Sequence, residues 1–375
     1  MFETWTLSSL QAWWWLILSV IGGFLVAMTF IQGGQALLGR VGGDEDGKRL
    51  VLNALGRKWE LAFTTLVLFG GALFAAFPLY YSVSFGGAYL LWMSILLTFV
   101  LQAVSYEFRG KAHNLFGARG FDGFLWVNGT AGVFLLGLAV GSLFTGAPFT
   151  RDAANVVHWA GSLRGFEAAL APFNLLLGLT LVLLARVLGA LYLLYAVDAP
   201  LVETRARAAL KLHALAFVPV YLLTVGWLLT LDGVAVHGSS TEVVPLAYLG
   251  ALSALPVRGV ASLLLGTVSV LAGVGLALFA ASRRGFWLSF AGSVLVGVGL
   301  FSLAGHGELA LYASTVAPAD SLTLSNASST RYTLVTMSYV SLLIPFVLAY
   351  IAFVWRAMGV RLLTTSEVDS DPLSY

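Results

Sequence analysis

Residues 12–38 read AWWWLILSVIGGFLVAMTFIQGGQALL and contain no charged side chain. A helix needs about 20 consecutive apolar residues to cross a hydrocarbon core about 30 Å thick. This stretch therefore predicts a transmembrane helix. Residues 1–11 contain neither Lys nor Arg, so the basic region that precedes a cleaved signal peptide is missing, and the helix is expected to stay in the protein.

Eight further apolar stretches extend this pattern to about nine helices in a single transmembrane domain, residues 1–375. They lie near 59–83, 87–108, 122–145, 171–197, 207–232, 259–282, 285–306 and 334–358. The chain is 59% hydrophobic and 10% charged, whereas soluble domains carry about 25% charged residues. We therefore predict an all-α, polytopic integral membrane protein. A break at Arg283-Arg284-Gly285 separates the seventh and eighth helices. If these two were one helix, every later loop would lie on the opposite side of the membrane.

The basic residues predict the orientation, because short cytoplasmic loops carry an excess of Lys and Arg. Loops after the odd-numbered helices and the C-terminal region hold most of the 20 basic residues: Arg40, Lys48, Arg49, Arg57, Lys58, Arg109, Lys111, Arg119, Arg205, Arg207, Lys211, Arg283, Arg284, Arg356 and Arg361. The opposite side holds Arg151, Arg164, Arg258 and Arg331. The N-terminus is therefore expected outside and the C-terminus inside, with a cytoplasmic tail over 359–375.

Several classes of function are excluded by composition. The net charge is +2 and the basic residues are scattered, so we expect no nucleic-acid partner. The absence of cysteine rules out Cys-ligated zinc, iron–sulfur clusters and thioether-linked haem. The five histidines lie in loops or near helix ends, so we expect no metal and no cofactor to be held by this chain itself.

Acidic residues at the predicted cytoplasmic ends of helices are the candidates for chemistry. Glu60 begins the second helix just after Arg57-Lys58-Trp59. It could collect protons, or it could be a first-turn carboxylate favoured by the helix dipole and paired with Arg57 or Lys58. Glu107 and Arg109 close the third helix and could extend a proton pathway or form an interfacial salt bridge.

Two other groups of polar residues lie within the predicted helices. Arg186 is well inside the fifth, where snorkelling competes with pairing to Asp198, Glu203 or a cofactor carboxylate. Gln32 and Thr64 belong to a polar cluster near the inner ends of helices one to three. Such residues usually form hydrogen bonds between packed helices, but they could also line a hydrated proton path.

Two motifs resemble subunit II of the cytochrome bd family of quinol oxidases. The first contains Trp59-Glu60, then GGALFAAFP over 70–78, then YEFR over 106–109. The second is LTLSNASS over 322–329, followed by Pro345 and Ala349-Tyr350. Their order and the predicted nine helices match that family.

The resemblance implies a fold of two four-helix bundles plus one additional helix. It also implies a haem-free partner of a subunit I that carries haem b and haem d, in a complex that oxidises quinol and reduces O2 to water. Such a complex lies in a bacterial or archaeal cytoplasmic membrane and generates membrane potential without pumping. This chain would stabilise subunit I, offer a cytoplasmic proton path and hold a structural quinone, and a small single-helix subunit could accompany it.

The resemblance carries over residue by residue only in part. Glu60 takes the position of the family's Asp, which is assigned to the proton route toward the haems, and its spacing to Gly70 is unchanged. The family's Gly-Phe-Asp-x-Gly-x-Gly segment is replaced by FIQGGQ over 30–35, which has no acid, so Gln32 or water would have to bridge that gap. Residues 61–64 also lack the usual Gly-Asn-x-Val-Trp, which places the chain in a divergent branch.

Two alternatives stay open. A secondary transporter would show paired, broken helices in corresponding halves and an acid near the middle of the bilayer. Pro219 and Pro345 interrupt the sixth and ninth helices but form no evident repeat. A purely structural membrane subunit without a role in proton movement is the second alternative.

Overall fold

A computed structural model describes residues 1–111, 114–238, 240–358 and 362–364. Its α-helices are α1 Leu7–Met28, α2 Phe30–Ala36, α3 Leu38–Val41, α4 Glu45–Gly56, α5 Trp59–Ala76, α6 Pro78–Tyr81, α7 Tyr89–Phe108, α8 Gly117–Val127, α9 Val133–Thr145, α10 Phe166–Ala169, α11 Pro172–Ala196, α12 Pro200–Thr230, α13 Ala247–Ala254, α14 Ser262–Phe279, α15 Gly285–Leu303, α16 Leu324–Ala327, α17 Arg331–Ser341 and α18 Ile344–Met358. The predicted tail, 359–375, lies outside the described residues except for 362–364.

Shorter elements connect these helices. The strands form antiparallel hairpins, β1 Phe149–Arg151 with β2 Val157–Trp159 and β3 Gly233–His237 with β4 Ser240–Val244. The 3-10 helices are Phe2–Thr4 and Pro318–Asp320, and π-helical segments occupy Ser82–Gly87, Asn128–Gly132 and Pro256–Ala261.

Within the described residues, eight helical rods are long and apolar enough to cross a membrane: Leu7–Ala36, Glu45–Ala76, Tyr89–Phe108, Gly117–Thr145, Pro172–Ala196, Pro200–Thr230, Val257–Phe279 and Gly285–Leu303. A ninth is counted if α17 and α18, bent by 42°, form one span. Pro345 explains the bend. It has no N–H to donate to the carbonyl oxygen of Ser341, and its ring clashes with that carbonyl. The all-α membrane fold is confirmed, with eight or nine spans numbered here in chain order.

The seventh and eighth spans are separate helices. The seventh ends at Phe279 and the eighth begins at Gly285. Their backbones touch through glycines, because a side chain added at Gly266 would lie 2.7 Å from the carbonyl oxygen of Gly292. Small residues allow this close approach between membrane helices. The turn at Arg283-Arg284 therefore joins two neighbouring spans.

The first span is packed against helices from distant parts of the sequence. On one side, a side chain at Gly23 would meet the backbone carbonyl of Val294 in the eighth span. Trp15 Nε1 donates a 2.9 Å hydrogen bond to the carbonyl oxygen of Phe301, 286 residues away. On the other side, Gly33 faces the backbone of Ala185 in the fifth span so closely that no side chain would fit. The first span thus joins both halves of the bundle.

The long loops meet at the end of the bundle opposite the basic loops, called here the outer end. Bridges pair Ala147 with Ser314 and Ala235 with Leu309. A further bridge pairs Tyr312 with Leu322, next to the second sequence motif. The other end, where the basic loops lie, is called the inner end. The charged and amide side chains of the candidate site lie near this end.

Candidate functional site

Four charged side chains form an inner charge cluster. Arg109 Nε donates a 2.6 Å hydrogen bond to Asp122 Oδ1, and its Nη2 lies 3.0 Å from Glu45 Oε2. Lys48 Nζ lies 3.1 Å from Asp122 Oδ2 and 3.0 Å from Glu45 Oε1. Burial by itself would lower the pKa of Arg109. The hydrogen bonds and negative charges of Asp122 and Glu45 outweigh the effect of burial, so the pKa of Arg109 is raised. The cluster fastens the third span to α4 and α8.

Glu107 does not take part in this cluster. Its side chain is exposed and forms no ion pair within the described part of the chain. Arg109 pairs with Asp122 and Glu45 instead of its near neighbour Glu107. Asp122, at the start of the fourth span, was missed by the sequence analysis, although an acid beside a predicted basic loop was a signal that could have identified it.

Glu60 lies in the first turn of α5 with an exposed side chain. It forms no ion pair with Arg57 or Lys58 in the structure. Lys58 is instead buried, with its Nζ 5.1 Å from the centre of the Trp355 ring. Thr64, one turn after Glu60, donates a 2.9 Å hydrogen bond to the Glu60 carbonyl oxygen. The pairing that would have made Glu60 an ordinary helix-start acid is therefore absent.

Glu60 heads an exposed stripe along the second span. The stripe continues through Thr64, Val67, Leu68 and Phe74, which recur at helical spacing. Val67, Leu68 and Phe74 are each more than half exposed. We call these five residues the Glu60 stripe.

A buried amide network lies beside the first turn of α5. It consists of Gln32, Gln35, Gln102 and Asn128, one or two from each of the first, third and fourth spans. Gln32 Nε2 donates to Gln102 Oε1 at 3.3 Å, and Gln102 Nε2 donates to Gln35 Oε1 at 2.8 Å. Gln35 Nε2 donates to Asn128 Oδ1 at 2.6 Å. The network connects three spans near their inner ends.

Aromatic side chains link the amide network to the chain around Glu60. Tyr106 donates from its hydroxyl to Gln35 Oε1 at 3.2 Å. Its ring stacks on Trp59 with centroids 5.9 Å apart and planes within 9°. The network thus ends one residue from Glu60 in sequence, although no hydrogen bond between described residues joins it to the Glu60 carboxylate. Asn128 begins an Asn-Gly-Thr sequence, the pattern of an N-glycosylation acceptor, but its side chain is fully buried.

Arg186 forms no ion pair with Asp198 or Glu203, two of its predicted partners. Asp198 binds Arg283 at 3.2 Å, and Glu203 binds Arg207 at 2.9 Å. Arg186 donates from Nη2 to Thr130 Oγ1 at 3.1 Å. Thr130 lies in the π-helical segment of the fourth span, so Arg186 connects the fourth and fifth spans through a neutral partner.

The second sequence motif forms a capped turn at the outer end. Thr323 and Asn326 cap α16 reciprocally. Ser329 N–H donates to the carbonyl oxygen of Ala76 at 2.8 Å, and Gln11 Nε2 donates to Ser328 Oγ at 2.6 Å. The motif therefore fastens the loop before α17 to the first and second spans, which is a structural role.

Potential metal ligands are dispersed in the parts of the chain that the structure describes. No group of three or more His, Asp or Glu side chains is placed to hold a metal ion there. The polar residues at the inner end are instead a charge cluster, an amide network and an unpaired carboxylate on an apolar face.

Comparison with known proteins connects this arrangement to one family. The sequence model described as cytochrome bd terminal oxidase subunit II matches residues 10–358. The chain belongs to this family. Membership makes it a subunit of a quinol:oxygen oxidoreductase complex of bacterial membranes, in which subunit II partners a haem-bearing subunit I. This assignment favours the oxidase interpretation over a secondary transporter.

Individual relatives span most of the cytochrome bd subunit. Subunit 2 of the cytochrome bd-I ubiquinol oxidase of Escherichia coli K12 is 28% identical over 371 residues, covering 92% of this chain and 93% of that one. Cytochrome bd ubiquinol oxidase subunit 2 of Bacillus subtilis is 26% identical, with coverages of 91% and 94%. A probable cytochrome oxidase subunit 2 of Haemophilus influenzae is 30% identical, but the match spans 62% of this chain and 61% of that relative.

The fold is similar to a solved bd oxidase. A chain in the structure of bd oxidase from Geobacillus thermodenitrificans superposes with a TM-score of 0.64 at 16% identity. The match covers 93% of this chain and 98% of that chain. At this identity the likeness concerns the fold.

Proposed function

We propose that this subunit supplies a proton path to the haem-bearing subunit I, beginning at Glu60, and that it stabilises subunit I in the membrane. The observation that carries the proposal is an exposed carboxylate at the head of an apolar stripe, with no ion-pair partner among the residues that the structure describes. Family membership supplies the context, since reduction of O2 to water consumes protons. The resemblance stated from the Trp59-Glu60 motif is consistent with that assignment.

The Glu60 stripe supports a contact with subunit I. A carboxylate at the margin of a lipid-facing surface is costly, and ionisable residues in spans usually face a cavity or a partner. Val67, Leu68 and Phe74 continue the same face deeper into the bilayer. An interface along this stripe would enclose Glu60 between the two subunits and give its proton a route that lipid does not block.

The amide network supports a hydrated route beside that interface. Gln32 is 1% exposed, and its Oε1 has no hydrogen-bond partner among the described residues. Buried acceptors of this kind are usually satisfied by water. Gln32 would hold water where the family has an acid, while Glu107, exposed at the inner end of the third span, would collect protons and Thr64 would line the path.

Replacement of Glu60 tests the proton path in the assembled complex. Glu60→Gln preserves size but cannot carry a proton, so we expect quinol oxidase turnover and membrane potential in proteoliposomes to fall about tenfold or more, since positioned proton transfer contributes about 10²-fold to 10⁴-fold. Glu60→Asp should retain most activity. Glu308→Gln, an exposed acid at the outer end, is the matched control.

Haem content separates the proton path from the stabilising role. If Glu60→Gln leaves turnover, potential and haem content unchanged, the proton path is wrong and the purely structural subunit becomes the better description. If haem is lost together with activity, the residue serves assembly. The structural quinone and the small single-helix subunit remain predictions from the resemblance.

A further inference from the structure

Arg186 places a positive charge near the middle of the membrane. α11 runs from Pro172 to Ala196, and at 1.5 Å per residue Arg186 lies about 15 Å from its inner end and about 21 Å from its outer end. The guanidinium donates from Nη2 to Thr130 Oγ1 at 3.1 Å, and its buried Nε has no partner among the described residues. Because Thr130 is neutral, this contact holds the charge in place without cancelling it.

Close backbone contacts place Arg186 at the level of the amide network. The first span touches the fifth at Gly33, where an added Cβ would collide with the carbonyl of Ala185 and lie 2.6 Å from the backbone nitrogen of Arg186. It touches the fourth span at Gly129, where an added Cβ would collide with the carbonyl oxygen of Gln32. Gln32 and Arg186 therefore belong to one junction of three spans.

The amide network reaches this junction from the inner end. Tyr106 lies near the inner end of the third span, and its hydroxyl donates to Gln35. From Gln35 the hydrogen bonds continue through Gln102 to Gln32, which lies about one helical turn further from the inner end than Gln35 does. The polar track thus runs from the inner end to the junction that carries Arg186.

The next layer toward the outer end is apolar. Val26, Leu136 and Leu181, from the first, fourth and fifth spans, line a cavity of about 30 Å³ there. Most of its other walls are also aromatic or aliphatic. Water finds few hydrogen-bond partners in such a cavity, and apolar cavities of this kind stay dry. A proton that followed the polar track would therefore meet the charge of Arg186 at the edge of a dry layer.

We infer that Arg186 is an electrostatic barrier that keeps protons of the amide network from crossing to the outer end. The inference rests on the hydrated route proposed above. Glu60 accepts protons in that route, whereas the guanidinium of Arg186 repels them. A guanidinium keeps its proton in proteins, so the barrier does not depend on pH. An arginine excludes protons electrostatically in aquaporin-type pores as well.

The charge of Arg186 is of a size that matters for proton leakage. A hydrated track that enters the bundle from the inner end leaves only the outer part of the bundle as insulation. A unit charge about 10 Å away changes the population of a proton by about tenfold at an effective dielectric constant of about 20. Loss of this charge should therefore let protons pass outward through the bundle, while delivery from Glu60 to subunit I continues.

Passive proton flux through the complex in proteoliposomes tests this inference. Vesicles loaded with the pH dye pyranine receive a potassium diffusion potential from valinomycin, without quinol, so that turnover does not contribute. Wild type should leak no faster than protein-free vesicles, and Arg186→Gln should raise the flux of the complex about tenfold. Arg186→Lys keeps a positive charge and should leak much less. Arg284→Gln removes an exposed cation in the turn before α15 and should behave as wild type.

Release of trapped carboxyfluorescein separates a proton leak from a damaged bundle. The inference requires the proton flux of Arg186→Gln to rise while the dye stays inside. Release of both would show that the substitution opens the bundle, and a flux equal to wild type would show that the charge is no barrier; either result overturns the inference. Because the assay involves no turnover, its failure is distinct from unchanged turnover in Glu60→Gln, which concerns the proton path.

Thr130→Asp provides a second test if Arg186→Gln does not assemble. The new carboxylate would lie beside the guanidinium and neutralise its charge, so proton flux should rise as expected for Arg186→Gln. Thr130→Asn is neutral and similar in size, and it should leave the flux at the wild-type level. Equal proton fluxes in the two Thr130 variants would refute an electrostatic barrier at this junction.

Discussion

Arg109 and Glu60 lie at the inner end of neighbouring spans but meet opposite electrostatic conditions. Arg109 is held by two carboxylates in the inner charge cluster, whereas Glu60 has no ion-pair partner among the described residues. A charge fixed in a cluster stabilises the fold, and a carboxylate without a partner is available to exchange protons. Spacing identified both residues, but only the structure separates their electrostatic surroundings.

Loss of Arg109 should destabilise the complex more than loss of an isolated cation. Arg109→Gln leaves Asp122 half-paired with Lys48, and a partly buried charged group deprived of its partner costs about 1–3 kcal/mol. The highly exposed Glu45 should add little. Thermal unfolding in detergent should show a lower Tm than for Arg284→Gln. Equal Tm values for the two variants would contradict a structural role for the cluster.

His306 predicts a pH dependence at the outer end. It lines a cavity of about 230 Å³ together with Arg258 and Glu308. Burial, reinforced by the charge of Arg258, lowers the pKa of the His306 imidazole below its ordinary value, so folding favours the neutral ring. Well above the ordinary pKa of about 6.5, the ring is neutral in both the folded and the unfolded protein, so it does not affect stability. As the pH falls below this value, the unfolded protein takes up the proton more readily, and the folded protein loses stability.

The variant His306→Gln should remove this part of the acid sensitivity. Between pH 7.5 and pH 5.5 the wild-type complex should lose more thermal stability than His306→Gln does. His237→Gln, an exposed residue on β3, serves as control and should lose as much as wild type. An unchanged pH response in His306→Gln would show that another group carries the dependence.

Two elements that depart from straight α-helices lie where spans meet. The first span is interrupted at Thr29, whose hydroxyl donates a 2.6 Å hydrogen bond to the Val26 carbonyl oxygen. The fourth span contains the π-helical segment Asn128–Gly132, which carries both the amide network and the partner of Arg186. Because π-helical segments redirect side chains within a helix, this one brings Asn128 and Thr130 to opposite neighbours.

The contact of Gly33 with the fifth span can be tested by substitution. A Cβ at Gly33 would collide with the carbonyl of Ala185, and backbone cannot yield as a flexible side chain does. Gly33→Ala should therefore destabilise the subunit by about 1–3 kcal/mol through overpacking. Gly226→Ala is a matched control, because open space surrounds that position on α12. Similar unfolding midpoints for the two variants would refute the close approach.

The whole molecule combines a charged inner end with an outer end closed by long loops. Apolar length predicted the helical membrane fold, because about 20 residues are needed for each crossing whatever the packing. The bridges between distant loops could not be predicted, since Ala147 and Ser314 are paired by tertiary structure alone. Burial of the amide network could not be predicted either. The spacing of polar residues along a span does not tell whether they line a cavity or form contacts between helices.

Orientation in the membrane can be tested in a chain that has no native cysteine. Ala153 is exposed next to β1 at the outer end, and Arg284 is exposed in the turn before α15 at the inner end. A membrane-impermeant maleimide should label Ala153→Cys in intact spheroplasts but label Arg284→Cys only after permeabilisation. The reverse pattern would overturn the predicted N-out, C-in topology.

The contact between the first and eighth spans has a consequence for biosynthesis. Trp15 reaches the membrane early, yet the carbonyl of Phe301 that it binds is synthesised 286 residues later. At about 5–20 residues per second, this delay is roughly 15 to 60 s. During that interval the glycine-lined surface of the nascent first helix has no native neighbour on that side. The newborn subunit must therefore remain beside the insertion machinery, or be shielded by lipid, until its C-terminal third arrives.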